Sequence, residues 1–161
     1  MKITYAPKGV LQIDDARIIF RNFSGKGGKY NAEGNRNFCM IIPNEEIADK
    51  LISLGWNVTV KPPREEGEEP LRFLKVKVKF DGYPPIVYLR SGKNTVKLDE
   101  ETVGSLDSID ISKADLDISP YEYDVNGRHG ISAYLKSMCV YQEYDRFAER
   151  FSNEDSDDTP F

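Results

Sequence analysis

Few side chains in this sequence suit covalent or acid–base chemistry. It has one histidine, His129, and two cysteines, Cys39 and Cys139. His129 directly follows a turn signal, where an exposed imidazole is expected rather than a base or a ligand. The cysteines fall on apolar alternating segments and read as small core residues. The three lack the clustered spacing of a zinc site. No HExxH or GxSxG stretch occurs, and Gly25-Lys26-Gly27-Gly28-Lys29 is not a phosphate loop of the Gly-x4-Gly-Lys-Ser/Thr kind. Asp115 and Asp117 share one strand face, where two carboxylates can hold a metal ion. Lys136 is expected opposite Asp117, so an ion pair is the reading preferred there. No catalytic residue, metal ligand or cofactor site is assigned.

Binding chemistry is far better represented. A surface for single-stranded nucleic acid needs cations for phosphates and exposed rings for bases. Phe73, Lys75, Lys77 and Lys79 alternate onto one face of a strand. Arg21 and Phe23 alternate on the first strand, and Tyr88 with Arg90 on a later one. Tyr121, Tyr123 and Tyr134 lie on the polar face of a hairpin. Residues 24–36, SGKGGKYNAEGNR, read as a long flexible loop and add Lys26, Lys29, Tyr30 and Arg36. Alternating lysine also guards edge strands against aggregation, and tyrosine suits half-buried sheets. Ring and cation combine in four separate segments, which leaves the two readings balanced until the C-terminal residues are weighed.

Bulk charge argues the other way until it is mapped. The chain of 161 residues has 22 Lys+Arg and 27 Asp+Glu, a formal charge of −5. Residues 152–161, SNEDSDDTPF, hold four carboxylates and no cation, so residues 1–151 stand near neutrality. Such an anionic run lacks the apolar content to order itself and is expected to be a disordered tail. It can also compete with DNA for the cations of its own domain.

The elements that position these residues are mostly strands. Residues 14–23, 37–42, 56–60, 71–80, 85–90, 94–98, 114–125 and 128–141 carry strand signals. Asn44 caps a predicted helix bearing Ile47, Ala48, Leu51 and Ile52, ended by Gly55. Asp99 caps a second, short one with Val103, Leu106 and Ile109. Tyr144, Phe147, Ala148 and Phe151 share a side of a closing helix. Asn126-Gly127 is a strong two-residue hairpin signal. It pairs Ile118 with Leu135 and Pro120 with Ala133 on an apolar face. On the polar face it pairs Asp117 with Lys136, Ser119 with Tyr134 and Tyr121 with Ser132. The fold class is mostly β. A five-stranded Greek-key barrel of the OB type, with extended loops, inserted strands and one to three short helices, fits best.

The last residues, Asp157-Asp158-Thr159-Pro160-Phe161, resemble the tip of bacterial single-stranded DNA-binding proteins, which close an acidic run on Asp-Asp-x-Pro-Phe. The segment Arg21-Asn-Phe-Ser-Gly-Lys through Tyr30-Asn to Glu33-Gly-Asn-Arg-Asn-Phe38 resembles phage-encoded OB-fold members of that class. The resemblance implies a domain over 1–151 that coats single-stranded DNA without sequence preference. It implies a tail over 152–161 that recruits replication, recombination and repair proteins. There Asp157, Asp158, Pro160 and Phe161 would meet an apolar pocket rimmed by basic residues. Pro160 stiffens the tip, Phe161 offers apolar area and the carboxylates offer charge. No apolar run approaches the roughly 18–20 residues of a membrane span, and a cytoplasmic protein, in the host if phage-encoded, is expected. Homo-oligomerisation stays open. So do two other classes: an acidic inhibitor that mimics DNA, and a metal-dependent nucleic-acid enzyme built on Asp115.

Overall fold

Alternating sequence becomes a branched sheet of ten strands in the computed structural model, which describes residues 1–143. The closing helix expected over 144–151 and the acidic tail lie outside the described residues. In chain order the strands are β1 (Lys2–Tyr5), β2 (Leu11–Ala16), β3 (Ile18–Asn22), β4 (Arg36–Ile41), β5 (Val58–Lys61), β6 (Leu71–Val78), β7 (Ile86–Ser91), β8 (Asn94–Leu98), β9 (Ile111–Val125) and β10 (Arg128–Gln142). Among the described residues one α-helix, α1 (Glu45–Ser53), sits between β4 and β5. The sheet runs β1-β2-β9-β10-β6-β4-β3, with β5 on β6, β7 on β10 and β8 on β7. Its pairs are antiparallel except β10 with β6 and β10 with β7. β2 and β3 stand far apart on this path, yet only Arg17 separates them in the chain. The Arg17 carbonyl accepts from Ile41 N at 2.9 Å.

Local chemistry explains each element that positions the site. β6 buries Leu74, Val76 and Val78 and exposes Lys75 and Lys77. Asn44 caps α1 by accepting from Ile47 N at 2.9 Å, and the helix buries Ala48 and Leu51. Asn126 and Gly127 take φ of 52° and 78°, the two left-handed residues a type I′ hairpin turn requires. Ile118 then faces Leu135, Pro120 faces Ala133, Ser119 faces Tyr134 and Tyr121 faces Ser132, as the turn predicts.

Several expectations are corrected. The pairing of Asp117 with Lys136 does not form. The register slips between Leu135 and Ser137, so Lys136 is an extra bulged residue. Ser137 stands opposite Asp117 instead, and its hydroxyl donates to Oδ2 at 3.0 Å. The same slip moves Cys139 from the core side to a position opposite Asp115, where it is half-buried. The strand expected over 14–23 starts at Leu11, breaks at Arg17 and bulges twice, with φ of 57° at Asp15 and 51° at Phe20. β1 was not anticipated. The second helix is a 3₁₀ segment, Val103–Asp107. A three-residue repeat lines up Val103 and Leu106, which are both fully buried, better than an α-turn does. No helix among the described residues is long and apolar enough to cross a membrane.

Candidate nucleic-acid interface

The exposed face of β3, β4 and β6 forms the floor of a groove, and residues 24–36 form its wall. Two clefts share Tyr30, Asn31, Asn37 and Lys75 and so make one continuous groove. The larger, about 880 Å³, is lined by Phe20, Lys26, Lys61, Cys39 and Phe73 among others. The smaller, about 400 Å³, carries Arg36, Lys77, Lys79, Phe80 and Tyr134. Cross-strand register fixes this order. Asn37 stands opposite Lys77, Cys39 opposite Lys75 and Ile41 opposite Phe73, while Lys77 neighbours Tyr134 across the parallel pair.

Rings and cations are interleaved along the floor. Phe20 meets Phe73 edge to face, with centroids 5.7 Å apart. The Lys61 ammonium lies 5.8 Å from the first ring and 5.7 Å from the second. At the other end Lys77 Nζ is 5.7 Å from the Tyr134 centroid, and Tyr134 meets Tyr121 at 5.7 Å. Tyr30 is 88% exposed, with Lys29 Nζ 5.4 Å from its ring. Among the described residues, Lys61, Lys75, Lys77 and Lys79 make no ion pair, so their charge is available to phosphates. Burial pushes the Cys39 thiol up, and the Lys75 and Lys61 charges partly oppose that. The groove floor therefore presents a neutral thiol between ammonium groups.

The glycine-rich loop is a folded ribbon and not the open coil expected. Gly28 and Asn31 pair across it, and Gly34 N donates to the Gly25 carbonyl at 2.8 Å. Gly25 has φ of 73°, and a Cβ there would meet the Gly34 backbone at 3.1 Å, so a larger residue would force the ribbon open. The Asn31 amide donates to the carbonyls of Lys26, Ala32 and Asn35, and its oxygen accepts from Asn37. Asp107 ties the loop's first turn down by accepting from Phe23 N at 2.7 Å and Ser24 N at 3.0 Å.

The bulge at Phe20 reassigns the first strand. Phe23 was expected on the exposed face, but it is fully buried and stacks on Phe38 at 5.2 Å; it cannot meet a base. Arg21 borders the larger cleft but is partly committed elsewhere. Its guanidinium donates to the carbonyls of Leu106 and Ile109 at 2.7 and 2.6 Å. Arg36 is shared, donating from Nε to the Phe23 carbonyl at 2.9 Å and lying 3.5 Å from Glu100. Phe73 lines the groove but is 8% exposed, covered in part by Phe20. Phe20 and Lys61 were not singled out in the sequence. A phenylalanine amid β-branched neighbours looks like core, and only the slip in register brings its ring outside.

The structure separates two other expected groups from the groove. Tyr123 donates from its hydroxyl to Asn57 Oδ1 at 3.1 Å and lines a different cleft, with Leu54 and His129. Tyr88 borders a cleft with Asp14, Asp115 and Asp117, and Arg90 stands opposite Tyr141 on the same side. Lys113 pairs with Asp15 at 2.9 Å and lies 4.8 Å from the Tyr141 ring. Tyr141 donates to Asp115 at 3.1 Å. Burial and that bond push its phenol up to about 12. Among the described residues no three His, Cys, Asp or Glu side chains gather into a possible metal site. His129 is 75% exposed and lies 3.6 Å from Asp124. Asp157, Asp158, Pro160 and Phe161 lie outside the described residues.

Comparison with known proteins bears on this geometry. A family model described as "Putative phage ssDNA-binding domain" matches residues 1–159. No curated protein matches the chain. Among solved structures, the single-stranded DNA-binding protein of bacteriophage Enc34 is similar in three forms. Its C-terminal truncation aligns with a TM-score of 0.57 at 14% identity, covering 90% of this chain and 97% of that one. Its complex with single-stranded DNA gives 0.57 at 14%, covering 90% and 93%. A further structure gives 0.56 at 13%, covering 98% and 100%. At such identities the likeness establishes the fold, a mostly β architecture with one helix and a large mixed sheet. Since the family match spans nearly the whole sequence, the chain belongs to the phage single-stranded-DNA-binding domain family, a family of binding proteins and not of enzymes.

Proposed function

We propose that this protein coats single-stranded DNA without sequence preference, along the groove between the β3–β4–β6 face and the glycine-rich ribbon. The observation that carries the reading is the interleaving on one face: Phe20 and Phe73 around Lys61, then Lys75, then Lys77 with Tyr134 and Tyr121. Ammonium groups capture phosphates by displacing condensed counterions. Rings accept any base, because every base offers a π-face. The hydrogen-bonded ribbon lowers the ordering cost of closing over a strand. The complex of the Enc34 protein with single-stranded DNA supports the same reading.

Two finer points belong to the proposal. With β1 set aside, the sheet path runs from β2 to β3, which Arg17 joins in the chain; counting β2 and β3 as one broken strand, this supports a closed five-stranded barrel of the OB type with β1, β5, β7 and β8 added. Residues 152–161 form a separate anionic segment. Its Asp157, Asp158, Pro160 and Phe161 recruit replication, recombination and repair proteins in the host cytoplasm, and its charge competes with DNA for the groove.

The test is a titration of the full chain against a labelled thymine oligomer and a duplex of the same length, at low and moderate salt. Tight binding to the single strand, little to the duplex and a steep decline with salt are expected. Comparable binding to both refutes the reading. Removing residues 152–161 should tighten binding at about 20 mM salt, where screening is weak; equal affinities there would discard the competition.

A further inference from the structure

We infer that Phe20 is a base-stacking platform of the groove, a station that takes the face of one unpaired nucleobase. This rests on the single-strand reading above and goes beyond it by naming a contact residue. Three observations meet at this ring. The first is backbone geometry. Phe20 has φ of 51° at a slip in register between Ile19 and Asn22. A bulky residue adopts that region only under constraint, and such outliers concentrate at functional sites.

The second is that neighbouring contacts impose this conformation. Arg21 is anchored by donating to the carbonyls of Leu106 and Ile109. Asn22 holds the ribbon by donating to the Lys26 carbonyl at 3.0 Å and accepting from Lys26 N at 2.9 Å. With both following residues anchored, the bulge turns the Phe20 ring outward. The third is what the ring meets there. It is 57% exposed, rests on Phe73, and has the Lys61 ammonium 5.8 Å from its centroid. Lys75 lines the same cleft. An exposed aromatic face ringed by cations matches a nucleobase attached to its phosphodiester, whereas an apolar protein partner would gain nothing from the flanking charge.

The experiment compares the full chain with Phe20→Asn and Phe20→Tyr. Asparagine tolerates positive φ, so it keeps the bulge and removes the ring; tyrosine keeps the ring. Affinity for a labelled thymine oligomer is read by anisotropy, and folding by thermal midpoint. The expectation is about 5- to 150-fold weaker binding by Phe20→Asn, near-native binding by Phe20→Tyr, and an unchanged fold in both. Wild-type affinity in Phe20→Asn overturns the inference while leaving the groove intact. Failure of the wild-type chain to bind single strands overturns the underlying reading. If Phe20→Asn does not fold, photo-crosslinking of wild type to a 5-iodouracil oligomer decides. An adduct on Phe20 supports the platform, and adducts confined to other residues refute it.

Discussion

Three lysines on one side of the groove allow a quantitative test of electrostatic capture. Lys61, Lys75 and Lys77 border the clefts beside the Phe20 and Tyr134 rings, and none has an ion-pair partner among the described residues. Replacing all three with glutamine keeps the apolar stems that cover neighbouring rings and removes only charge. Each ammonium that displaces a condensed cation from a single strand contributes about 0.7 to the slope of log affinity against log salt. Three should therefore flatten the slope by about 2. Between about 50 and 200 mM salt the wild-type protein would then lose roughly 18-fold more affinity than the variant. The assay is anisotropy of a thymine oligomer across that salt range, with thermal midpoints as the folding control. A folded triple variant with the wild-type slope would refute the assignment of phosphates to this floor, even if its affinity fell.

Other outcomes follow from the same geometry. Phe23→Ala, which removes a fully buried ring stacked on Phe38, should cost about 3–5 kcal/mol in urea denaturation; a loss of DNA affinity at unchanged stability would reverse its placement. Asp107→Ala removes two bonds that hold the start of the ribbon. Bonds to charged acceptors are each worth about 1.5–3 kcal/mol, so trypsin should cut after Lys26 and Lys29 at least about tenfold faster, by mass spectrometry of timed digests. Tyr141 is pushed by burial and its bond to Asp115 from 10.0 up to about 12, so an ultraviolet titration should show a phenol step that late which Tyr141→Phe removes. A folded value above the ordinary one means that its contribution to stability is complete below pH 10 and fades as pH rises toward 12. Tyr141→Phe should abolish that alkaline dependence; if the pH profile of unfolding is unaltered, the phenol is not held as described.

Much of the architecture was legible because each local signal agreed with its neighbours. The polar cap at Asn44 and the apolar spacing of Ala48 and Leu51 both specify α1. Asn126-Gly127 and the apolar partners Ile118 and Leu135 both specify the β9–β10 register. β6 announces its two faces through lysine alternation, and Lys75 and Lys77 do border the groove. β1 was not legible. Lys2–Tyr5 buries little of its surface, so no alternation marks it, and only pairing to β2 makes it a strand.

The errors at the site share one physical cause. Strand reasoning assumes a period of 2, and a single extra residue inverts it. On β3 the inversion exchanges Phe23 for Phe20 at the surface and commits the Arg21 guanidinium to backbone carbonyls. On β10 it displaces Lys136 from Asp117 and sets Cys139 and Tyr141 beside Asp115 and Lys113. Neither bulge carries a glycine that would flag it. Phe20 adopts positive φ despite its bulk, because contacts remote in sequence, to Leu106 and Ile109, hold the next residue. The information that places the ring therefore lies some 85 residues away, beyond the reach of any local pattern. The slip on β10 also sorts the surface chemically. Before the β10 slip, Tyr134 stands beside Lys77 on the basic groove. After it, the same strand faces Asp115 and Asp117, whose carboxylates would repel phosphate. The slip on β10 thus changes the face of that strand from one set beside a lysine and tyrosines to one set beside carboxylates.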